Sequence, residues 1–396
     1  MAEPLAIGEA LARVLEHSRP LANEEVPVAA ACGRVLAAPA LAAVDLPPFA
    51  SSAMDGFALR AADTPGSLPV VARIAAGAPA GRALAPGEAM AISTGGVVPD
   101  GADAVVQIEL VDERNDVVDV PAVAARDNVR PRGSDIRAGD EVVPAGLRLG
   151  PAQLGALAAA GVTAVRCGRR PQVALLATGS ELRPAGEPLG PGEIYDSNTV
   201  MLEAQARAAG AAVETLPRVA DNEQATREAL ARGLAADVLV TSGGVSVGVH
   251  DLVRRLESEL GVEEVFWGVA VRPGRPLAFG LRGDTLVFGL PGNPVSSLVG
   301  FELFVRPALL ALQGAGDPGP PFRPGRLATA VRRNKARDSL VRARSRTENR
   351  VIALEPLAGQ ESHMIARAAA ADALVLVPRG EGELAAGSTV EYLALR

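Results

Sequence analysis

DVLVTSGGVSVG, residues 237–248, decides the fold. A short apolar run breaks into hydroxyls and glycines, and HDLVRRLESEL (250–260) then shows helical spacing. A strand feeding a glycine loop and a helix is one half of a strand–helix–strand unit. The same arrangement recurs on both sides. Upstream, QVALLA (172–177) runs into TGSEL (178–182), and SNTVMLEAQARAAG (197–210) has the Ser/Asn start and Gly stop of a helix. AAVETL (211–216) reads as a second strand and DNEQATREALARGLA (221–235) as a helix opened by aspartate. Downstream, TLVFGL (285–290) leads into PGNPVSSLVGFELFVRPALLAL (291–312). This alternation predicts an α/β domain with a mostly parallel sheet over residues 171–314.

The flanks have a different texture. Leu5, Leu11, Val14 and Leu15 give a helical pattern up to His17. Between residues 44 and 143, β-like runs such as LPVVARI (68–74), EAMAIS (88–93) and DAVVQIELV (103–111) are divided by Pro, Gly and Asp. GPAQLGALAAAG (150–161) reads as a helix stopped by its last glycine. The expected arrangement is a β-rich domain, 44–143, inserted into a discontinuous N-terminal helical domain made of 1–43 and 144–170. GAGDPGPPFRPG (314–325) reads as a linker, and short β runs beyond it predict a small barrel-like β domain over 320–396.

Lysines and arginines number 39 against 46 acidic residues, a net charge of −7, which argues against binding nucleic acid through bulk charge. An anionic ligand must be held by local basic clusters. Two cysteines, Cys32 and Cys167, are too few for a disulfide framework and have no metal-ligand spacing; both are expected reduced and buried. The first 20 residues lack the apolar core of a signal peptide, and no run of about 18 uncharged apolar residues occurs. The expectation is a cytoplasmic protein with no membrane partner.

Three glycine loops follow strands: TGSEL, TSGGVSVG and LPGNPVS. In a parallel sheet the carboxyl ends of strands share one edge, where ligands bind. Glycine lets backbone N–H groups approach an anion, and the following helix N-terminus adds a positive dipole end. Three such loops suit a phosphorylated ligand. Carboxylates stand at Glu181, at Asp221 in RVADN, at Asp251 in VGVHD and at Asp55 in SSAMDGF. Together they suit Mg²⁺ shared with a phosphate; singly, Asp221 and Asp251 suit helix caps and Asp55 a turn. Arg130, Arg132 and Arg137 form one basic cluster; Arg272 and Arg275 in RPGRP form another, and their guanidinium forks match oxyanions. The run Arg332–Arg350 reads as a solvated face of the β domain. His17, His250 and His363 lie far apart, and a histidine-based mechanism is not expected.

SSAMDGFA, ISTGG, RPRGSDI, TGSEL, IYDSN, TSGGVSVG, RPGRPLAFG and LPGNPVS, in this order over nearly the whole chain, resemble the MoeA and gephyrin E-domain family of molybdopterin molybdenumtransferases. TSGGVSVG alone would also suit the related adenylyltransferases; SSAMDG and the β insertion separate the two. The resemblance implies a homodimer that inserts molybdate into adenylylated molybdopterin, releasing AMP, with Mg²⁺. Molybdopterin is then a substrate, and transient contacts with molybdopterin adenylyltransferase and with cofactor-accepting enzymes are implied. Site residues carried over are Asp55, Thr94, Glu181, Asp221 and Asp251 as catalytic, the last three as metal ligands. Arg132, Asp135, Gly243, Gly244, Ser246, Arg272, Arg275, Pro291, Gly292, Asn293, Ser296 and Arg342 are carried over as substrate-binding, Arg342 touching molybdate. The chain departs from the family with Ser180 before Glu181, where aspartate is usual, and with Arg272 and Arg275, where lysines are usual. The alternatives are adenylyl transfer to molybdopterin and a gephyrin-like scaffold.

Overall fold

The computed structural model describes residues 3–219, 222–243, 252–348 and 350–395. At its centre is a six-stranded sheet: β1 (Gln172–Ala177), β2 (Ala212–Thr215), β3 (Val238–Ser242), β4 (Glu263–Trp267), β5 (Ala278–Arg282) and β6 (Thr285–Leu290), in the order β2-β1-β3-β6-β5-β4. The first four in that order are parallel; β5 and β4 are antiparallel additions at one side. β1, β3 and β6 are almost continuously apolar because both faces are covered. Leu175, Val240 and Phe288 pack against Leu202, Phe301 and Phe304 on one side, while Leu176, Leu239 and Val287 meet Leu230 and Leu256 on the other. The helix Pro294–Leu312 is long and apolar enough to cross a membrane, but 78% of it is buried against this sheet. It is the core helix.

The N-terminal helix α1 (Ile7–His17) departs from the grouping of residues 1–43 with 144–170. Its buried Ala10 and Val14 belong to the central core, and Leu5 exchanges backbone bonds with Gly268 and Ala270. Periodicity identified its apolar face but not the surface that face meets. The linker unit begins at Asn23–Pro27, which pairs antiparallel with Ala164–Gly168. Gly168 is where this unit touches the end of the core helix: a Cβ there would stand 2.1 Å from the Gln313 carbonyl oxygen. Cys167 is buried in this unit, which pushes its thiol pKa up, whereas Cys32 is exposed, contrary to expectation. Ala40–Leu41 pairs with Glu141–Val143 at a narrow neck, and beyond it a separate six-stranded sheet fills the insertion.

At the C-terminal end, Asp338–Glu348 pairs with both Val351–Pro356 and Ala373–Val377, and Arg323–Leu327 with Thr389–Ala394 completes a closed five-stranded barrel around Leu354, Val375 and Tyr392. The barrel meets the central domain through a short parallel pairing, Val271–Arg272 against Asp338 and Ser339, through the Val295 N–H donating to Ser362 O, and through Leu340, Leu374 and Leu393, which are buried in the central core.

Candidate active site

Strand register creates the cleft. Ala177 stands opposite Ser242, and Ser242 opposite Leu290, so β1, β3 and β6 end level. Their exits are bonded to one another: the Thr178 N–H donates to Ser242 O and the Gly243 N–H to Leu290 O, each at 3.1 Å. Gly243 has φ +95°, and a Cβ on it would lie 2.7 Å from Thr178 O, so only glycine lets the first two loops approach this closely. A cleft of about 790 Å³ opens over this edge. Glu181, Gly243, Pro291, Gly292 and Asn293 all line it. Asp221, Gly244, Ser246, His250 and Asp251 lie outside the described residues.

A second compartment of about 440 Å³ adjoins the first, and the two share Pro276, Pro291, Asn293 and His363 as a wall. Arg272, Arg275 and Ser296 line the second compartment. So does Arg337, delivered from the barrel just before the strand that pairs with Val271–Arg272. Burial and the neighbouring Arg272 and Arg275 pull the Arg337 guanidinium below its usual pKa. Three guanidinium groups in one compartment, with Glu361 also in its lining, have the chemistry to pair with a multiply charged oxyanion. Asn293 opens the core helix without using its side chain as a cap, which leaves the amide facing the wall between compartments. The sequence offered Arg337 only as one member of a solvated basic run, and gave His363 no role. The structure corrects the first reading and puts His363 at the junction.

Arg342 is placed differently from its carried-over role. Only 1% exposed, it does not line the compartment. Its guanidinium donates to the carbonyls of Gly359 (2.6 Å), Met364 (2.7 Å) and Glu361 (3.2 Å). It therefore shapes the loop that carries Gln360–His363 past the anion compartment. Burial lowers its pKa, with Glu361 opposing and Arg367 adding to the shift. Arg342→Met is expected to lower stability by roughly 1–3 kcal/mol, because the part-buried carbonyls of Gly359, Glu361 and Met364 lose a charged donor. Denaturant melts check this; an unchanged midpoint with weakened oxyanion use would restore the direct role.

The remaining carried-over residues sit on the insertion. The Asp55 carboxylate accepts a hydrogen bond from the Thr94 N–H at 2.7 Å, and both residues are exposed. Neither lines the cleft of its own chain. Arg132 pairs with Asp45 at 2.6 Å, and the Asp135 N–H donates to Leu46 O, so that loop closes the neck of the insertion. The Ala138 N–H, followed by Arg132, holds the Asp45 carboxyl below its ordinary range.

Comparison with known proteins agrees with this layout. Residues 5–161 match the MoeA N-terminal region (domain I and II), 174–311 a probable molybdopterin binding domain, and 324–395 the MoeA C-terminal region (domain IV). Molybdopterin molybdenumtransferase 2 of Mycobacterium tuberculosis is 37% identical, with 96% of each chain covered. The molybdopterin molybdenumtransferase of Bacillus subtilis is 33% identical, covering 99% of this chain and 94% of its own. The crystal structure of the molybdopterin biosynthesis MoeA protein from Pyrococcus horikoshii superposes with a TM-score of 0.85 at 27% identity, covering 99% of this chain and 100% of its own. With matches running from residue 5 to 395 and relatives above 30% identity end to end, the chain belongs to the MoeA family.

Proposed function

We infer that this chain is a molybdopterin molybdenumtransferase that takes adenylylated molybdopterin in the larger cleft and molybdate in the arginine compartment. One observation carries the reading: a glycine-loop cleft and a three-arginine compartment share a wall, so a phosphorylated organic ligand and an oxyanion can be held side by side. Holding two reactants in contact converts their encounter into an intramolecular step. The glycine loops offer backbone N–H groups to the pyrophosphate. Arg272, Arg275 and Arg337 neutralise the oxyanion. Asn293 and His363 bring hydrogen-bonding side chains to the junction where the two ligands meet.

The family association with Mg²⁺ has limited support in the side chains. Among the described residues no three His, Cys, Asp or Glu groups cluster as a metal site. Among the described residues Glu181 and Asp196 bring carboxylates to the cleft, and Asp196 is already engaged with Thr199 as a helix cap, which leaves Glu181 as the available ligand. Glu181 would serve as one ligand of a cation held otherwise by substrate oxygens.

Asp55 and Thr94 complete the site only if they come from another copy, so the working form is a two-fold dimer with the insertion of one subunit over the cleft of its partner. The deciding experiment is incubation with adenylylated molybdopterin, Mg²⁺ and molybdate, following AMP release and the activation of a cofactor-free molybdoenzyme. Both should rise together and depend on molybdate. AMP-adduct formation from ATP and molybdopterin instead would mean adenylyl transfer, and tight binding without turnover would mean a scaffold.

A further inference from the structure

The IYDSN motif (194–198) is unassigned in the mechanism above, yet it supplies an unusual group. Asp196 caps the helix Ser197–Ala208 by accepting from the Thr199 N–H, which fixes the helix start beside the cleft. The second residue of that helix is Asn198, 8% exposed and lining the cleft. Its Nδ2 donates to Ser242 Oγ and to Gly292 O, both at 2.8 Å, and so ties the ends of two substrate loops together. A backbone carbonyl only accepts, so the atom facing Gly292 is the nitrogen and the amide orientation is settled. That leaves Oδ1 buried with no hydrogen-bond partner among the described residues. Buried polar atoms are rarely left unmet, and an exception at a binding cleft calls for a donor from outside.

We propose that Asn198 is a specificity-determining residue whose Oδ1 accepts a hydrogen bond from the amino-bearing heterocycle of the substrate. Phosphate and molybdate oxygens have no hydrogen to give and would be repelled by this oxygen. A neutral ring with an exocyclic amine or ring N–H fits it. In the proposed substrate both the pterin and the adenine carry such groups, so the shared chemistry is an N–H donor on a flat heterocycle. The oxygen is preset, since both amide hydrogens are committed to the loops. A ring lacking the donor leaves it unmet, which is how a hydrogen-bonding site rejects an isostere. This inference rests on the function proposed above.

The test titrates the whole protein calorimetrically with AMP, with purine riboside 5′-monophosphate, which is AMP without its amino group, and with molybdopterin. Wild type and Asn198→Ala are compared. If adenine is the donor, wild type should bind the analogue roughly 10-fold more weakly than AMP, and Asn198→Ala should not discriminate. If the pterin is the donor, AMP and its analogue bind alike and unchanged, while Asn198→Ala binds molybdopterin roughly 10-fold more weakly. The comparison of AMP with its analogue on wild type does not depend on how well the variant folds. Equal affinities throughout overturn the proposal. So does a variant that weakens AMP and molybdopterin alike while wild type ignores the missing amine, because that pattern means loop collapse. Binding of neither AMP nor molybdopterin to wild type would instead remove the proposed function itself, and the inference with it.

Discussion

A protein with both Arg275 and Arg337 replaced by alanine is expected to need roughly 10²–10⁴-fold more molybdate for the same rate at fixed pterin substrate. A charge-assisted hydrogen bond to an anion contributes roughly 1.5–3 kcal/mol, which is about 10–100-fold for each arginine lost. The upper end of the combined range applies if the two effects multiply; coupling within the shared compartment brings the loss toward the lower end. The folding midpoint should hold or rise slightly, since the substitutions relieve repulsion among three neighbouring guanidinium groups. Arg275→Lys should cost less than Arg275→Ala, as it keeps the charge and loses only the planar fork. Affinity for the pterin substrate should change little, because its cleft is lined by the glycine loops. Titrating molybdate for the four proteins checks this; identical curves would reduce the arginines to a solvated surface.

Asp55→Ala is expected to lower turnover by about 10²–10³-fold, the usual cost of deleting one preorganised electrostatic group, while leaving the thermal midpoint close to wild type. Asp55 has little to do for the fold. It is exposed, and the Thr94 N–H is its single side-chain partner among the described residues. The turn holding it is rigid: Ser52 Oγ donates to Met54 O at 2.6 Å, and a Cβ on Gly56 would fall 1.8 Å from the Val106 carbonyl oxygen. The backbone is thus pinned so that the carboxylate points outward. Asp55→Asn keeps the acceptor and loses the charge, which separates hydrogen bonding from electrostatics. A midpoint that falls in step with activity would make Asp55 structural. The dimer has its own readout in this variant. If the site spans two subunits, mixing and re-forming dimers from Asp55→Ala and Arg275→Ala chains should restore roughly a quarter of wild-type activity, because a two-fold heterodimer has one unmutated site. No recovery would place both residues in one chain's site.

Much of this was legible in the sequence because burial leaves a pattern. β1, β3 and β6 are covered on both faces, so they read as unbroken apolar runs before glycine loops. EEVFW (263–267) and AFGLR (278–282) escaped notice: each is short, charged at one end, and divided from the other by the Pro- and Gly-rich arginine turn. Arg337 and Arg342 sit five apart in one basic run, yet one faces an anion compartment and the other is sealed under a loop. Residues 339–343 are all buried, so the period of two that would reveal a strand face is absent there. Asn198 belonged to a recognisable motif, but whether an amide oxygen has a partner depends on loops about 44 and 94 residues away, which local pattern cannot report.

The short pairing of Val271–Arg272 with Asp338–Ser339 joins two domains at the point where their positive charges meet. Without ligand, that seam carries like-charge repulsion between the domains. A dianion in the compartment would reverse its sign, so the oxyanion proposed to bind there would also act as the counterion that cements the barrel to the central sheet. Ligand binding and domain docking are then linked quantities, each strengthening the other by the same free energy. Hydrogen exchange along residues 338–342 should slow as molybdate is added, and exchange indifferent to the anion would show the seam to be closed by packing alone.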